Sequence, residues 1–269
     1  MVKKLLTTLT SVTVLLALTG CSVTKEVIPL PTSSSTCTVE ATEFKNVAIG
    51  STAIEDGYGC YTKTLIDTNS TLLVQDDNKI DFASLEANGF TVESALAAQQ
   101  LTARFFVEET LDSVALDNSK EETRWLDALP EYFSEATLNS VKEEIDKGAL
   151  SSTGLILVGF LPEPLRRDNM VRATDTQVDL VSVSAGLTDS GEAVLKVSYS
   201  AELVYEVNDS VFVNWVLKNR SDLTKENLQV TNPELFDNTG FNKITVTVNS
   251  TFSVKDDKIS GAVLDVKTI

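Results

Sequence analysis

Histidine does not occur among the 269 residues. Its absence removes the commonest side chain that titrates near neutral pH. It also excludes Ser-His-Asp and Cys-His triads. Cysteine occurs only at positions 21, 37 and 60, and never as Cys-x-x-Cys, so a metal site has no visible ligand set. Positive charge is scarce: 22 Lys and Arg face 39 Asp and Glu, a formal net charge of −17. A surface this acidic repels phosphates, which argues against a nucleic-acid binder and against peripheral attachment to anionic lipid. The chain carries no glycine-rich phosphate loop of the Walker or dinucleotide type. It also has no apolar run near the ~20 residues that a permanent membrane-spanning helix needs. No cofactor is expected, and no residue is assigned as catalytic.

What is present begins at the N-terminus. Lys3 and Lys4 precede an apolar stretch that ends in Val14-Leu15-Leu16-Ala17, followed by Leu18-Thr19-Gly20-Cys21. A basic start, a short apolar core and a small-residue cleavage site make an export signal. The Leu-x-Gly-Cys ending resembles the lipobox of bacterial lipoproteins, in which the cysteine is lipidated and becomes the first residue of the mature chain. That resemblance implies that residues 1–20 are removed, that Cys21 carries the palmitate-containing anchor, and that the remainder is held on the extracytoplasmic face of the cell membrane. Loss of Lys3 and Lys4 leaves the mature chain more acidic still. Residues 21–36 form a tether, with Pro29, Pro31 and the Ser/Thr run from Thr32 to Thr36 favouring extended chain over a packed core.

With Cys21 lipidated, Cys37 and Cys60 remain as a pair in an oxidising compartment, where a disulfide is the default and two free thiols the alternative. Closing that loop would contribute about 3 kcal/mol in the chain-entropy estimate. Residues 37–82 are expected to form a small β-rich segment stapled by this bond, with a turn at Gly57-Tyr58-Gly59 and a short strand at Thr71-Leu72-Leu73-Val74. The acidic stretch Asp76-Asp77-Asn78 and Asp81 lacks the spacing and glycine of a calcium loop and is expected to be a solvated turn.

From residue 83 to 269 the pattern is helical and then alternating. Thr91 is a candidate N-cap for a helix running to about Leu116. Ala95, Ala98, Leu101 and Phe105 form its stripe, with Phe106, Val107 and Leu111 outside it, so the helix is expected to be buried on several sides. Ser119 and Glu122 have capping-box spacing before a short helix holding Trp125 and Leu129 and stopping at Pro130. A third helix starts at Ser134 and ends at Lys147-Gly148. Strands are expected at Leu155–Phe160, at Val178–Val183, and through Leu195, Val197, Tyr199, Ala201, Leu203 and Tyr205, whose shared parity is wholly apolar. Further strands are expected at Val211–Leu217, at Leu228–Val230 within an otherwise irregular Lys218–Gly240, around Ile244, Val246 and Val248, and finally after a turn at Asp256-Asp257 to near Val266.

Helices followed by a meander of strands indicate the α+β class. The stretches Ala98-x-x-Leu101-Thr102-Ala103-Arg104-Phe105-Phe106 and Trp125-Leu126-Asp127-Ala128-Leu129-Pro130-Glu131-Tyr132-Phe133-Ser134 carry a resemblance to the nuclear-transport-factor-like superfamily. It implies a cone in which N-terminal helices pack on a curved antiparallel sheet around a cavity. Enzymes of that superfamily commonly place a His or Asp base and a Tyr in the cavity. The candidate pocket here comprises Phe105, Glu108, Asp112, Trp125, Phe133, Tyr199 and Trp215. The plainer expectation is that Glu108 and Asp112 lie on a solvated edge or last turn of their helix and that the aromatics are core. Arg166-Arg167 is expected to be a loop charge pair.

Two functions follow from these expectations. One is a non-enzymatic binding module of the cell envelope, tethered to the membrane by its lipid and serving an envelope protein or a small apolar ligand. The other is an isomerase- or hydrolase-like enzyme that uses a buried carboxylate. The disulfide is directly testable: peptide mapping of the exported protein without reductant should recover a Cys37–Cys60 crosslinked pair, and free thiols at both positions would refute it.

Overall fold

The computed structural model describes residues 44–56, 59–113, 122–147, 155, 157, 160–161, 165, 173–231, 233–236 and 241–268. Cys21, Cys37, the tether, the expected capping box at Ser119 and Arg166-Arg167 lie outside the described residues, as does the side chain of Cys60. Residues from Cys37 to Ile269 belong to one compact unit of mixed helix and antiparallel sheet.

Two hairpins build the sheet. β3 (Ala173–Leu187) pairs with β4 (Ala193–Asn208), β4 with β5 (Phe241–Lys255), and β5 with β6 (Lys258–Thr268), all antiparallel and in sequence order. The expected parity on β4 is observed: Leu195, Val197, Tyr199, Ala201, Leu203 and Tyr205 are all buried, while Glu202 and Glu206 are exposed. Thr188 to Gly191 makes the first turn, with Gly191 at φ 81°. The β5–β6 turn places Asp256 and Asp257 at φ 51° and 58°, the left-handed pair that a two-residue hairpin requires.

Helices cover one face of this sheet. α1 (Phe82–Ala87) is capped by Asp81, and α2 (Val92–Arg104) by the predicted Thr91, in a reciprocal box with Ser94. The buried side of α2 carries Ala95, Ala98 and Ala103 beside Gln99 and Thr102, and the alanines let the helix approach the sheet closely. Beyond Arg104 the helix widens into a π-helix, Phe105–Leu111, every residue of which is buried. A π turn holds one residue more than an α turn, and so brings an additional side chain onto the inner face. α3 (Glu122–Tyr132) and α4 (Glu135–Asp146, capped by the predicted Ser134) follow. Phe105 meets Tyr132, Phe133 and Phe252 edge-on, with ring centroids 5.1, 5.0 and 5.7 Å away, and Phe106 stacks on Tyr199 at 5.3 Å.

Several expected elements take other forms. The long helix does not continue as α-helix past Arg104, because the π turn replaces it. Thr71–Leu73 is a 3-10 turn, since the Ser70 hydroxyl accepts the Leu72 N–H and fixes a local bend. α3 runs through Pro130 to Tyr132, so that Leu129, Tyr132 and Phe133 all reach the core. Phe160 and Leu161 both bond the Leu157 carbonyl, a helical turn where a strand was expected, because a short apolar run fits either form when buried. Val211–Leu217 lies in helix α5 (Asp209–Asn219), started by the Asn208 side chain on the Ser210 N–H, and this cap overrides the β preference of Val, Phe and Trp. Leu228–Val230 lies in α6 (Lys225–Thr231), where Leu228 is buried beside Val213 and Val230 is exposed.

The segment preceding α1 shares the main core. The hairpin of β1 (Ile49–Asp56) and β2 (Gly59–Ile66) is followed by Leu72, Leu73 and Ile80, and these three, with Val47 and Ile66, join the one large apolar cluster. A left-handed φ is unfavourable for a side-chain-bearing residue. Asp257→Gly should therefore raise the thermal midpoint by about 1–3 °C, read by calorimetry. A fall would show that the Asp257 side chain holds the turn.

Candidate functional site

The π-helix gathers acidic side chains where few are tolerated. Glu108, Glu109 and Asp112 are 6%, 1% and 1% exposed. Glu108 and Asp112 are thus not on a solvated edge. The added residue of the π turn carries them inward, and β2 closes over them. Each carboxylate finds a partner on that strand. Glu108 Oε1 accepts the Ile66 N–H at 2.9 Å, Glu109 Oε1 accepts from Lys63 Nζ at 2.8 Å, and Asp112 Oδ2 accepts from the Thr64 hydroxyl. Three consecutive contacts from one strand to one helix make a polar seam.

α3 supplies the opposite wall. The Tyr132 hydroxyl faces Glu108 Oε2 at 3.4 Å, and the indole N–H of Trp125 donates to the Glu109 carbonyl at 3.2 Å. Arg104 lies 4.0 Å from Glu108 Oε1. Burial pushes the Glu108 carboxyl above the usual range, against the Ile66 N–H and the Lys63 and Arg104 charges. Burial raises Glu109 too, against Lys63 and together with repulsion from Glu108 and Glu131. Tyr132 is pushed far up by burial and by Glu108, Glu109 and Glu131, so its hydroxyl keeps its proton and acts as a donor. Glu109 Oε2 is buried and has no hydrogen-bond partner among the described residues.

The candidate pocket residues separate. Phe105, Trp125, Phe133 and Tyr199 are fully packed core side chains; the Tyr199 hydroxyl donates to the Gln99 carbonyl at 2.8 Å and meets Thr102 Oγ1 at 3.0 Å. Trp215 is elsewhere, on α5, stacked on Phe212 at 6.1 Å. Glu108 and Asp112 do share the seam with Trp125. Lys63, Thr64, Glu109 and Tyr132 were missed: Glu109 adjoins Glu108 in an apolar stretch, a signal that was available, whereas nothing in the pattern of β2 points towards the helix. No group of three or more Cys, Asp or Glu side chains among the described residues is arranged to hold a metal ion.

Chemically, the seam is occupied. Both oxygens of Glu108 face a donor, the Ile66 N–H and the Tyr132 hydroxyl. Comparison with protein-family models, with curated proteins and with solved structures finds no match to this chain.

The raised carboxyls set a pH dependence. Where the folded form holds a proton that the unfolded form releases, stability falls as pH rises. Stability should therefore fall as pH rises from the ordinary glutamate range through the raised folded values of Glu108 and Glu109. Glu109→Gln should flatten this fall, measured as urea midpoints across pH. An unchanged profile would show that Glu109 is not a source of it.

Proposed function

We propose that the protein is a lipid-anchored module on the extracytoplasmic face of a bacterial membrane, and that its domain binds a partner without catalysing a reaction. The observation that carries the location is the run from Lys3-Lys4 through the apolar core to Leu18-Thr19-Gly20-Cys21. No helix among the described residues is long and apolar enough to cross a membrane.

The order of helices and then an antiparallel meander supports a cone of the nuclear-transport-factor-like type. What favours binding over catalysis is the filling of the space between helices and sheet. Phe105, Phe106, Tyr199 and Phe252 occupy it ring against ring, each less than 2% exposed. The feature an isomerase-like enzyme would use is Glu108 beside Tyr132. A base needs a free oxygen directed at substrate, whereas Glu108 is bonded to the Ile66 backbone on one side and faces Tyr132 on the other.

The test is Cys21→Ser in the producing bacterium. The variant should lose labelled palmitate and leave the membrane fraction. A variant that still incorporates palmitate and sediments with membranes would sink the anchor.

A further inference from the structure

Among the described residues, the outer edge of β3 is covered by this chain at two places and open between them. At one end Phe44 bridges Thr176 in parallel, and the Lys45 N–H donates to the Thr176 carbonyl at 2.9 Å. The side-chain amide of Asn46 then replaces a strand: its Nδ2 donates to the Val178 carbonyl and its Oδ1 accepts the Val178 N–H, both at 2.9 Å. At the other end Ile80 bridges Val183 in parallel, the Asp81 N–H donates to the Val183 carbonyl at 2.9 Å, and Ser84 Oγ accepts the Ala185 N–H at 2.9 Å.

Outward peptide groups recur every second residue along an edge. Here they fall on Thr176, Val178 and Leu180 and, after the bulge between Leu180 and Ser182, on Val183 and Ala185. Leu180 is the member of this series that no described residue meets. Its surroundings hollow into a groove of about 430 Å³, lined by Asn46, Thr71, Asp76, Lys79, Asp179 and Leu180 among others. That volume falls within the range of ligand clefts, roughly 300–1,000 Å³.

We propose that this groove takes an extended, basic peptide segment of a partner protein, which joins the β3 edge at Leu180 between the two segments already there. An N–H and a C=O side by side are satisfied by the backbone of another strand. From Val178 to Val183 the edge spans ~16 Å, room for about three extended residues between the covered ends. The charge preference comes from Asp76 and Asp179 on the walls against the single Lys79, on a chain whose net charge is −17. Val181, 49% exposed, offers an apolar contact for a flanking side chain.

The site deepens the reading of the domain as a binding module, and its test is separate from that of the anchor. The full chain in detergent is titrated with acetyl-Val-Lys-Val-amide, with the Glu analogue, and with the Lys peptide methylated on its backbone nitrogens. The expected result is at least tenfold slower hydrogen exchange at the Leu180 amide with the Lys peptide alone, and weaker binding to Asp179→Asn, which removes the charge and keeps an acceptor for the Asn46 amide. Unaltered Leu180 exchange at millimolar Lys peptide, equal binding of the Glu analogue, or equal binding of the methylated peptide would each overturn the proposal. None of these outcomes bears on whether Cys21 holds the protein to the membrane.

Discussion

Desolvation of the carboxylates on the π-helix is the constraint around which the fold is arranged. A buried carboxylate is costly unless hydrogen-bonded or paired. The chain meets that cost with one strand: the backbone of Ile66, the ammonium of Lys63 and the hydroxyl of Thr64 face Glu108, Glu109 and Asp112 in turn. The β1–β2 hairpin is therefore bound to the helical layer by directional contacts as well as by apolar burial. Remove the hairpin and each of the three acids loses a partner at once. A seam of this kind fixes the register between strand and helix, because a shift by one residue would put the Ile66 N–H and the Thr64 hydroxyl opposite the wrong oxygens.

This seam also explains how acids sit beside a packed aromatic core. Trp125 and Tyr132 complete it from α3, each through one polar atom while the ring packs among apolar neighbours. Tyr199 does the same against α2, its hydroxyl between the Gln99 carbonyl and Thr102. The helices are thus joined to one another and to the sheet by a few polar atoms carried on rings, and the rings themselves fill the volume between helices and sheet.

Much of this was legible in the residues where local chemistry and long-range packing agree. Thr91 and Ser134 mark helix starts because their hydroxyls satisfy orphan backbone donors whatever the tertiary context. The alternation from Leu195 to Tyr205 marks a strand with one buried face because a period of two fits no helix. The failures share a cause. Val211 to Leu217 is rich in residues that suit a strand, and the Asn208 cap together with the packing of Val213 against Leu228 holds it in a helix, while the apolar residues Leu157, Phe160 and Leu161 close a buried turn. The π-helix was beyond such reading: Phe105 to Leu111 fits an α-helix buried on many sides, and the widening arises from the need to place Phe105, Phe106, Glu108 and Glu109 all inward. The partners on β2 lie more than forty positions away in sequence, in a strand whose own pattern says nothing of acids.

The extra residue in the π turn has a consequence for chain length as well as for geometry. An α-helix advances ~100° per residue. Deleting one residue upstream of Glu108 would restore an ordinary helix and swing the following side chains round the axis, detaching Glu108, Glu109 and Asp112 from β2 at a single stroke. The length of the segment from Arg104 to Asp112 is thus held by its surroundings far more tightly than that of the exposed turns.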